Sequence, residues 1–252
     1  MKKNIKKLIA KLGFRIVNVN SKDLSQNTYV TPLQNFFQIL NQFGFEPKHI
    51  VDVGANHGKW TRSALKFFPN AQITMVEPQY WLKDSIQDVL DSNSKVKLYP
   101  FGAGESEGTF SFTVANEDVS SSFNYSEEEA KEKGYKQLQL PIITLNKLLS
   151  DNNLSNPDLI KIDAEGIDIQ VLKGASNYLG KTEIIMVEAS VLNKSYNNSL
   201  LETINFMDKS GYTLFDITEI NRPFQTQVLW LVELVFVLKG GVIDSLVIEE
   251  KY

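Results

Sequence analysis

The sequence predicts an α/β fold built on a doubly wound, mostly parallel sheet. Three observations carry this. Short apolar runs alternate with helix-prone stretches along most of the chain, the pattern of repeated βαβ units. The first such run, Ile50-Val51-Asp52-Val53, enters the turn Gly54-Ala55-Asn56-His57-Gly58. Several runs end in a carboxylate: Asp52, Glu77, Asp163 and Glu188, with Glu165 two residues beyond Asp163. In open α/β sheets the carboxyl ends of the strands border the ligand crevice, so these five acids are expected to share one.

In chain order, Ile5, Leu8, Ile9, Leu12 and Ile16 recur at helical spacing, with lysines between them. Two readings follow: a helix packed on the domain, which we favour, or one lying on an anionic membrane surface. Residues 18–31 form a polar connector. Thr31-Pro32 begins a second helix, with Leu33, Phe36, Phe37 and Leu40 on its apolar face and Gly44 at its end. Residues 1–44 are therefore expected as an N-terminal helical extension and 45–252 as the main domain. There, strand 49–53 is followed by helix 58–68, strand 72–76, helix 79–91 and strand 95–99. Phe110 to Val114 alternates with period two and reads as an extra antiparallel strand. Residues 115–125 are a serine-rich loop, expected to be mobile, and 126–134 are helix-prone. Strand 137–143, helix 144–151, strand 158–162, helix 167–173, strand 183–188, helix 198–210, strand 212–217 and strand 231–238 follow. The last two strands join through a loop at 218–230 without a helix, which makes the final strand antiparallel.

Bulk properties bound the function. Hydrophobic residues make up 42% of the 252, enough for a sizeable core. There is no cysteine, hence no disulfide or thiolate metal site, which agrees with a cytoplasmic location. No apolar run reaches the roughly 18 residues of a spanning helix. The net charge of −4 conceals an asymmetry. Six basic residues fall in the first fifteen; without them, 20 basic residues face 30 acidic ones, a charge near −10. So acidic a body is a poor match for nucleic acid.

The glycine turn and Glu77 together describe a nucleoside site. A carboxylate at the end of the second strand is an acceptor for a ribose diol. Dinucleotide sites place a second glycine where the pyrophosphate touches the backbone, and here that position is Asn56. S-adenosylmethionine has no phosphate and needs acceptors for an ammonium group and a ribose. Asp52, Gly54, Asn56 and Glu77 meet those needs. The alternatives are an NAD-dependent oxidoreductase and a catalytically inactive binding module.

Taken together, Val51-Asp52-Val53-Gly54-Ala55-Asn56, Glu77-Pro78, Leu159 to Gly166, Val171-Leu172-Lys173-Gly174-Ala175 and Val187-Glu188 resemble the FkbM family of S-adenosylmethionine-dependent methyltransferases over about residues 45–240. The resemblance implies a Rossmann-like class I methyltransferase sheet of seven strands with an antiparallel last strand. It also implies O-methylation of a sugar or natural-product hydroxyl. By position, Asp52, Gly54 and Asn56 would flank the methionine part and Glu77 would hold the ribose. The loop Phe101-Gly102-Ala103 would lie near adenine. Asp163 and Glu165 would sit near the transferred methyl, as catalytic groups, with Asp163 also toward the cofactor.

An alcohol acceptor has to lose a proton. His57, at the productive end of the first strand, is a candidate base, or a solvent-facing residue at a helix start. His49 is read as structural. Asp163, Glu165 and Glu188 are candidate Mg²⁺ ligands, or direct contacts to substrate hydroxyls or the cofactor ammonium without metal. Trp60, Tyr80, Trp81, Tyr125 and Trp230 are candidates for stacking on an acceptor, with core packing the simpler reading of each. Ser120 to Phe123 is a candidate lid.

Overall fold

The computed structural model describes residues 30–115, 121, 123, 125–192 and 198–247. The N-terminal amphipathic helix, with its membrane alternative, lies outside these residues, as do most of the connector and residues 116–120, 122 and 124 of the serine-rich loop. No helix among the described residues is long and apolar enough to cross a membrane.

Helix α1 (Pro32–Gln42) buries Phe36, Phe37 and Leu40, as its apolar spacing predicts. It belongs to the same compact unit as the sheet, a unit that starts at Pro32. Strand β1 (His49–Val53) is buried at every residue. It is followed by α2 (Lys59–Phe67), β2 (Gln72–Val76) and a stretch that departs from the expected single helix. Tyr80–Ile86 winds as a 3₁₀ helix, and only α3 (Gln87–Ser92) is α-helical. The Ser85 hydroxyl donates back to Leu82 O at 2.7 Å, a competing bond of the kind that weakens α-helix interiors.

Strands β3 (Val96–Tyr99), β4 (Gly102–Ala103) and β5 (Gly108–Val114) come next, then α4 (Glu127–Glu132) and β6 (Lys136–Ile143). The extra antiparallel strand exists as β5, and its partner is β6. These two and β4 form a separate sheet in the order β4-β6-β5. The composition of β6 explains the separation. Gln139 and Pro141 are exposed and alternate with buried Leu140 and Ile142, a pattern that suits a one-faced sheet and not a doubly covered one.

The remaining elements are α5 (Leu145–Asp151), β7 (Leu159–Ile162), α6 (Asp168–Gly174), β8 (Ile184–Ser190), α7 (Leu200–Lys209), β9 (Tyr212–Asn221), β10 (Leu231–Leu238) and α8 (Val242–Leu246). The main sheet has seven strands in the order β3-β2-β1-β7-β8-β10-β9. All neighbouring pairs are parallel except those of β10, which runs antiparallel to both β8 and β9. The class I methyltransferase sheet expected from the sequence is therefore present. Last in sequence, β10 is not last in space, because it slots between β8 and β9.

Alternate residues of each strand feed two cores. Val51, Val53, Ile160, Ile162, Ile185 and Val187 pack with α5, α6 and α7. Ile50, Ile73, Met75, Leu159, Ile184 and Met186 pack with α1 and α2. Lys161 and Asp52, directly opposite one another, project on this second face near the carboxyl edge.

Candidate active site

The carboxyl ends of β1, β2 and β7 open into a cleft of about 590 Å³. Gly54 and Asn56 line it after β1, Glu77, Pro78 and Gln79 after β2, and Asp163, Ala164 and Glu165 after β7. Phe101, Gly102, Ala103, Phe112, Ser121 and Phe123 complete the wall.

The turn after β1 is held by its backbone. Gly54, Asn56 and Gly58 all have positive φ, at 71°, 45° and 69°. A Cβ on Gly54 would fall 1.8 Å from the Asp163 carbonyl oxygen, so no side chain fits there. Gly54 N and Ala55 N both donate to Val76 O, at 2.9 and 3.2 Å. The Glu77 carboxylate then takes one backbone N–H on each oxygen: Asn56 N at 2.7 Å and Gln79 N at 2.9 Å. Burial raises the Glu77 pKa, and the N–H groups of Gln79 and Asn56 oppose the rise. The sequence places Glu77 at this turn. That it ties two loops together depends on contacts that sequence alone does not fix.

Asp52 does not line the cleft. It is wholly buried; Thr61 Oγ1 donates to its Oδ2 at 2.5 Å, and Lys161 Nζ stands 3.6 Å from its Oδ1. Lys161 was not among the expected site residues. Its ammonium sits beneath the turn, 3.4 Å from Val53 O, 3.3 Å from Gly54 O and 3.2 Å from Asp163 Oδ2. Burial alone would lower its pKa; Asp163, Asp52 and Glu233 outweigh burial and hold it above the ordinary lysine value. The signal was present in Leu159-Ile160-Lys161-Ile162, where a charged side chain interrupts an apolar strand.

Asp163 faces the cleft with its side chain 36% exposed. Glu165 has φ 51° and also lines the cleft; burial, then Asp163 and Asp168, push its pKa up to about 9. The turn from Asp163 to Ile167 is moulded by Asp168, another unexpected residue. Its Oδ1 accepts from Ala164 N at 2.8 Å, and its Oδ2 accepts from Gly166 N at 3.2 Å and Asn198 Nδ2 at 2.8 Å. Burial raises Asp168 to about 6. An Asp in the first turn of a helix is a sequence signal of the helix start, and here its bonds run back to the preceding turn.

The metal reading gains no support among the described residues. Among the described residues no three His, Cys, Asp or Glu side chains are grouped to hold an ion. Asp163 is ion-paired to Lys161, so a fixed ammonium already supplies the positive charge beside it. Glu188 is not part of the cleft wall. It pairs in register with Glu233, which pairs in turn with Glu219. Burial, then Asp163 and Glu165, holds Glu188 well above the usual carboxylate range.

His57 does not line the cleft either. Its Nδ1 lies 2.9 Å from Ser85 Oγ, and its backbone N–H donates to Asn56 Oδ1 at 2.8 Å. His49 is fully buried, with Nδ1 donating to Ser155 O at 2.7 Å and Nε2 2.9 Å from Thr74 Oγ1. None of Trp60, Tyr80, Trp81, Tyr125 and Trp230 lines the cleft, and Trp60 packs edge-on against Phe37 at 5.7 Å. The aromatic wall is instead Phe101, Phe112 and Phe123. Phe123 meets Phe112 at 4.8 Å between centroids and lies over Gly102, where a Cβ would come within 2.5 Å of its ring. Ser121 Oγ accepts from Ala115 N at 3.0 Å.

The Methyltransferase FkbM domain model matches residues 52–214. The 2-O-methyltransferase NoeI of Sinorhizobium fredii is 25% identical over 152 residues, which span 56% of this chain and 63% of that protein. Among solved structures, precorrin-6y C5,15-methyltransferase from Geobacter metallireducens GS-15 superposes with a TM-score of 0.47 at 15% identity, covering 82% of this chain and 87% of that one. The 1,6-didemethyltoxoflavin-N1-methyltransferase of Burkholderia thailandensis, solved with S-adenosylhomocysteine, gives a TM-score of 0.44 at 12% identity, covering 94% and 90%.

Proposed function

The chain belongs to the FkbM methyltransferase family, and we propose that it transfers a methyl group from S-adenosylmethionine to a hydroxyl of a small-molecule or saccharide acceptor. The observation that carries the cofactor reading is the charge of the cleft. Glu77 and Asp163 line it, with Glu165 held protonated beside them, and no Lys or Arg is among its lining residues. A sulfonium and an ammonium suit such a wall, whereas the pyrophosphate of NAD would meet carboxylates.

The residues present fit the cofactor. The Glu77 oxygens accept the two backbone N–H groups and a side-chain bond from Gln79, which leaves lone-pair capacity for a ribose hydroxyl. Phe101, Phe112 and Phe123 offer ring faces to a base. Gly54 lets a ligand reach the backbone. Asp163 is the exposed acid nearest the turn and suits an ammonium group. When bound, the cofactor supplies a methyl group activated by a positively charged sulfur.

The chain's own part is positioning and proton transfer. Asp163 and Glu165 are the acids at the end of β7 that face an acceptor hydroxyl. Glu165 can take a proton only after releasing its own, which occurs near pH 9. Hydroxyl acceptance is favoured by the relative named 2-O-methyltransferase.

Calorimetry with S-adenosylhomocysteine and with NADH tests the cofactor. Binding of NADH in place of S-adenosylhomocysteine would overturn the reading. Transfer of labelled methyl from S-adenosylmethionine to a panel of glycosides and hydroxylated small molecules tests the reaction. Cofactor binding with no transfer to any acceptor favours the inactive binding module.

A further inference from the structure

We propose that Lys161 is a positioning residue for the amino-acid end of the cofactor, setting the Gly54 turn and the Asp163 carboxylate that receive it; the inference rests on the cofactor reading above. An ammonium has three donors, and four oxygens surround this one. Two belong to consecutive carbonyls of the turn, and each of those peptide planes is fixed at its other end as well. The Val53–Gly54 plane accepts at Val53 O from Lys161 and from Asp163 N (3.2 Å) and donates through Gly54 N to Val76. The Gly54–Ala55 plane accepts at Gly54 O from Lys161 and donates through Ala55 N to Val76. Lys161 thus turns both carbonyls inward, away from a ligand approaching from the cleft.

The same ammonium takes Asp163 Oδ2 and leaves Oδ1 outside that bond. It is also the cation facing a row of acids on one sheet face: Asp52 and Asp163 touch it, and its charge is felt at Glu188, Glu219 and Glu233. The adenosine half of the cleft has supports of its own in Phe112 and Phe123, and Glu77 there feels Lys161 through its charge and through Asn56 of the turn, without contact. Loss of Lys161 should therefore disturb one half of the ligand and spare the other.

The test uses the full chain carrying Lys161→Met with Asp52→Asn, so that the fully buried carboxylate in contact with Lys161 is not left as an unpaired charge. Calorimetry compares S-adenosylhomocysteine with methylthioadenosine, which lacks the amino-acid end. A positioning role predicts that the double variant loses about tenfold or more for S-adenosylhomocysteine, the worth of a hydrogen bond to a charged group, and less than about twofold for methylthioadenosine. Asp52→Asn alone keeps both affinities. Equal losses for the two ligands, or no loss, would overturn the inference while leaving the cofactor reading intact. A wild-type chain that binds neither ligand overturns both. Should the Met pair fail to fold, Lys161→Gln with Asp52→Asn retains a donor for the turn and is judged by the same comparison; unfolding of this pair too would make Lys161 a structural residue and end the proposal.

Discussion

Replacing Glu77 separates two duties that one carboxylate performs. In Glu77→Ala the N–H groups of Asn56 and Gln79 lose their acceptors at 2.7 and 2.9 Å in a place where Glu77 is only 4% exposed. An orphaned buried donor costs about 1–3 kcal/mol, so the pair costs about 2–4 kcal/mol once water reaches the vacated space. For a chain of this size that lowers Tm by about 5–15 °C. Glu77→Gln keeps one carbonyl acceptor but turns an amide N–H₂ toward the other donor, and should fall between. Cofactor affinity follows a different order. Both variants lose the anionic acceptor for the ribose and should bind S-adenosylhomocysteine more weakly by about 1–3 kcal/mol. Urea unfolding followed by tryptophan fluorescence gives the stabilities, and calorimetry at a temperature where each variant is folded gives the affinities. An Ala variant within about 0.5 kcal/mol of the wild type would show that the carboxylate does not brace the loops. Unchanged affinity in a folded variant would take Glu77 out of the site.

Gly54→Ala combines a φ of 71° with a 1.8 Å clash against the Asp163 carbonyl, and should cost about 2–5 kcal/mol in a thermal melt; an unchanged Tm would refute the close approach of β1 and β7. If Glu165 is the base, its raised pKa means it is neutral at pH 7, so kcat/KM should climb as pH rises through about 9, and Glu165→Gln should remove the climb; a flat wild-type profile there excludes it. Burial lifts Glu233 to about 7, so its contribution to stability is fully present below the ordinary glutamate value and is lost as pH rises through 7. Glu233→Gln should therefore be more stable than the wild type by up to about 3 kcal/mol at pH 8 and much closer to it at pH 5; the same difference at both pH values in urea unfolding would contradict this. Exhaustive EDTA treatment should leave methyl transfer at its untreated rate, because Lys161 already neutralises Asp163; a loss restored by Mg²⁺ would count against that.

The strands of the main sheet are legible because parallel strands covered on both faces are buried at every residue and read as mainly apolar runs, as in β1 and β7. Which sheet a strand joins is less legible. Residues 137–143 read as one more strand in the series, and their short exposed–buried alternation marks a one-faced strand without naming β5 and β4 as the partners that take it elsewhere. The insertion of β10 between β8 and β9 is likewise a long-range choice with no local signal. At the site, backbone-determined features such as Gly54 and Glu77 could be found from spacing. Side-chain pairings could not: Asp52 has the position of a ligand residue, yet Thr61 and Lys161 claim it from beneath. The aromatic wall was missed because Phe112 and Phe123 reach the cleft from outside the βα loops where ligand residues are sought.

The placement of β10 has a consequence for the order in which the molecule can be completed. Among the described residues β9 has one strand neighbour, β10, and the outer edge of β8 is also covered by β10. A nascent chain released only as far as residue 230 therefore has an open, largely apolar rim at β8 and a mixed strand, β9, with nothing to zip onto, both with unpaired backbone edges that can pair with other chains. Sheet closure waits for residues 231–238, which seal two edges in one event. A chain cut within 222–230 would keep an antiparallel slot that its own severed piece can fill, making this loop a natural place to split the protein into two complementing fragments.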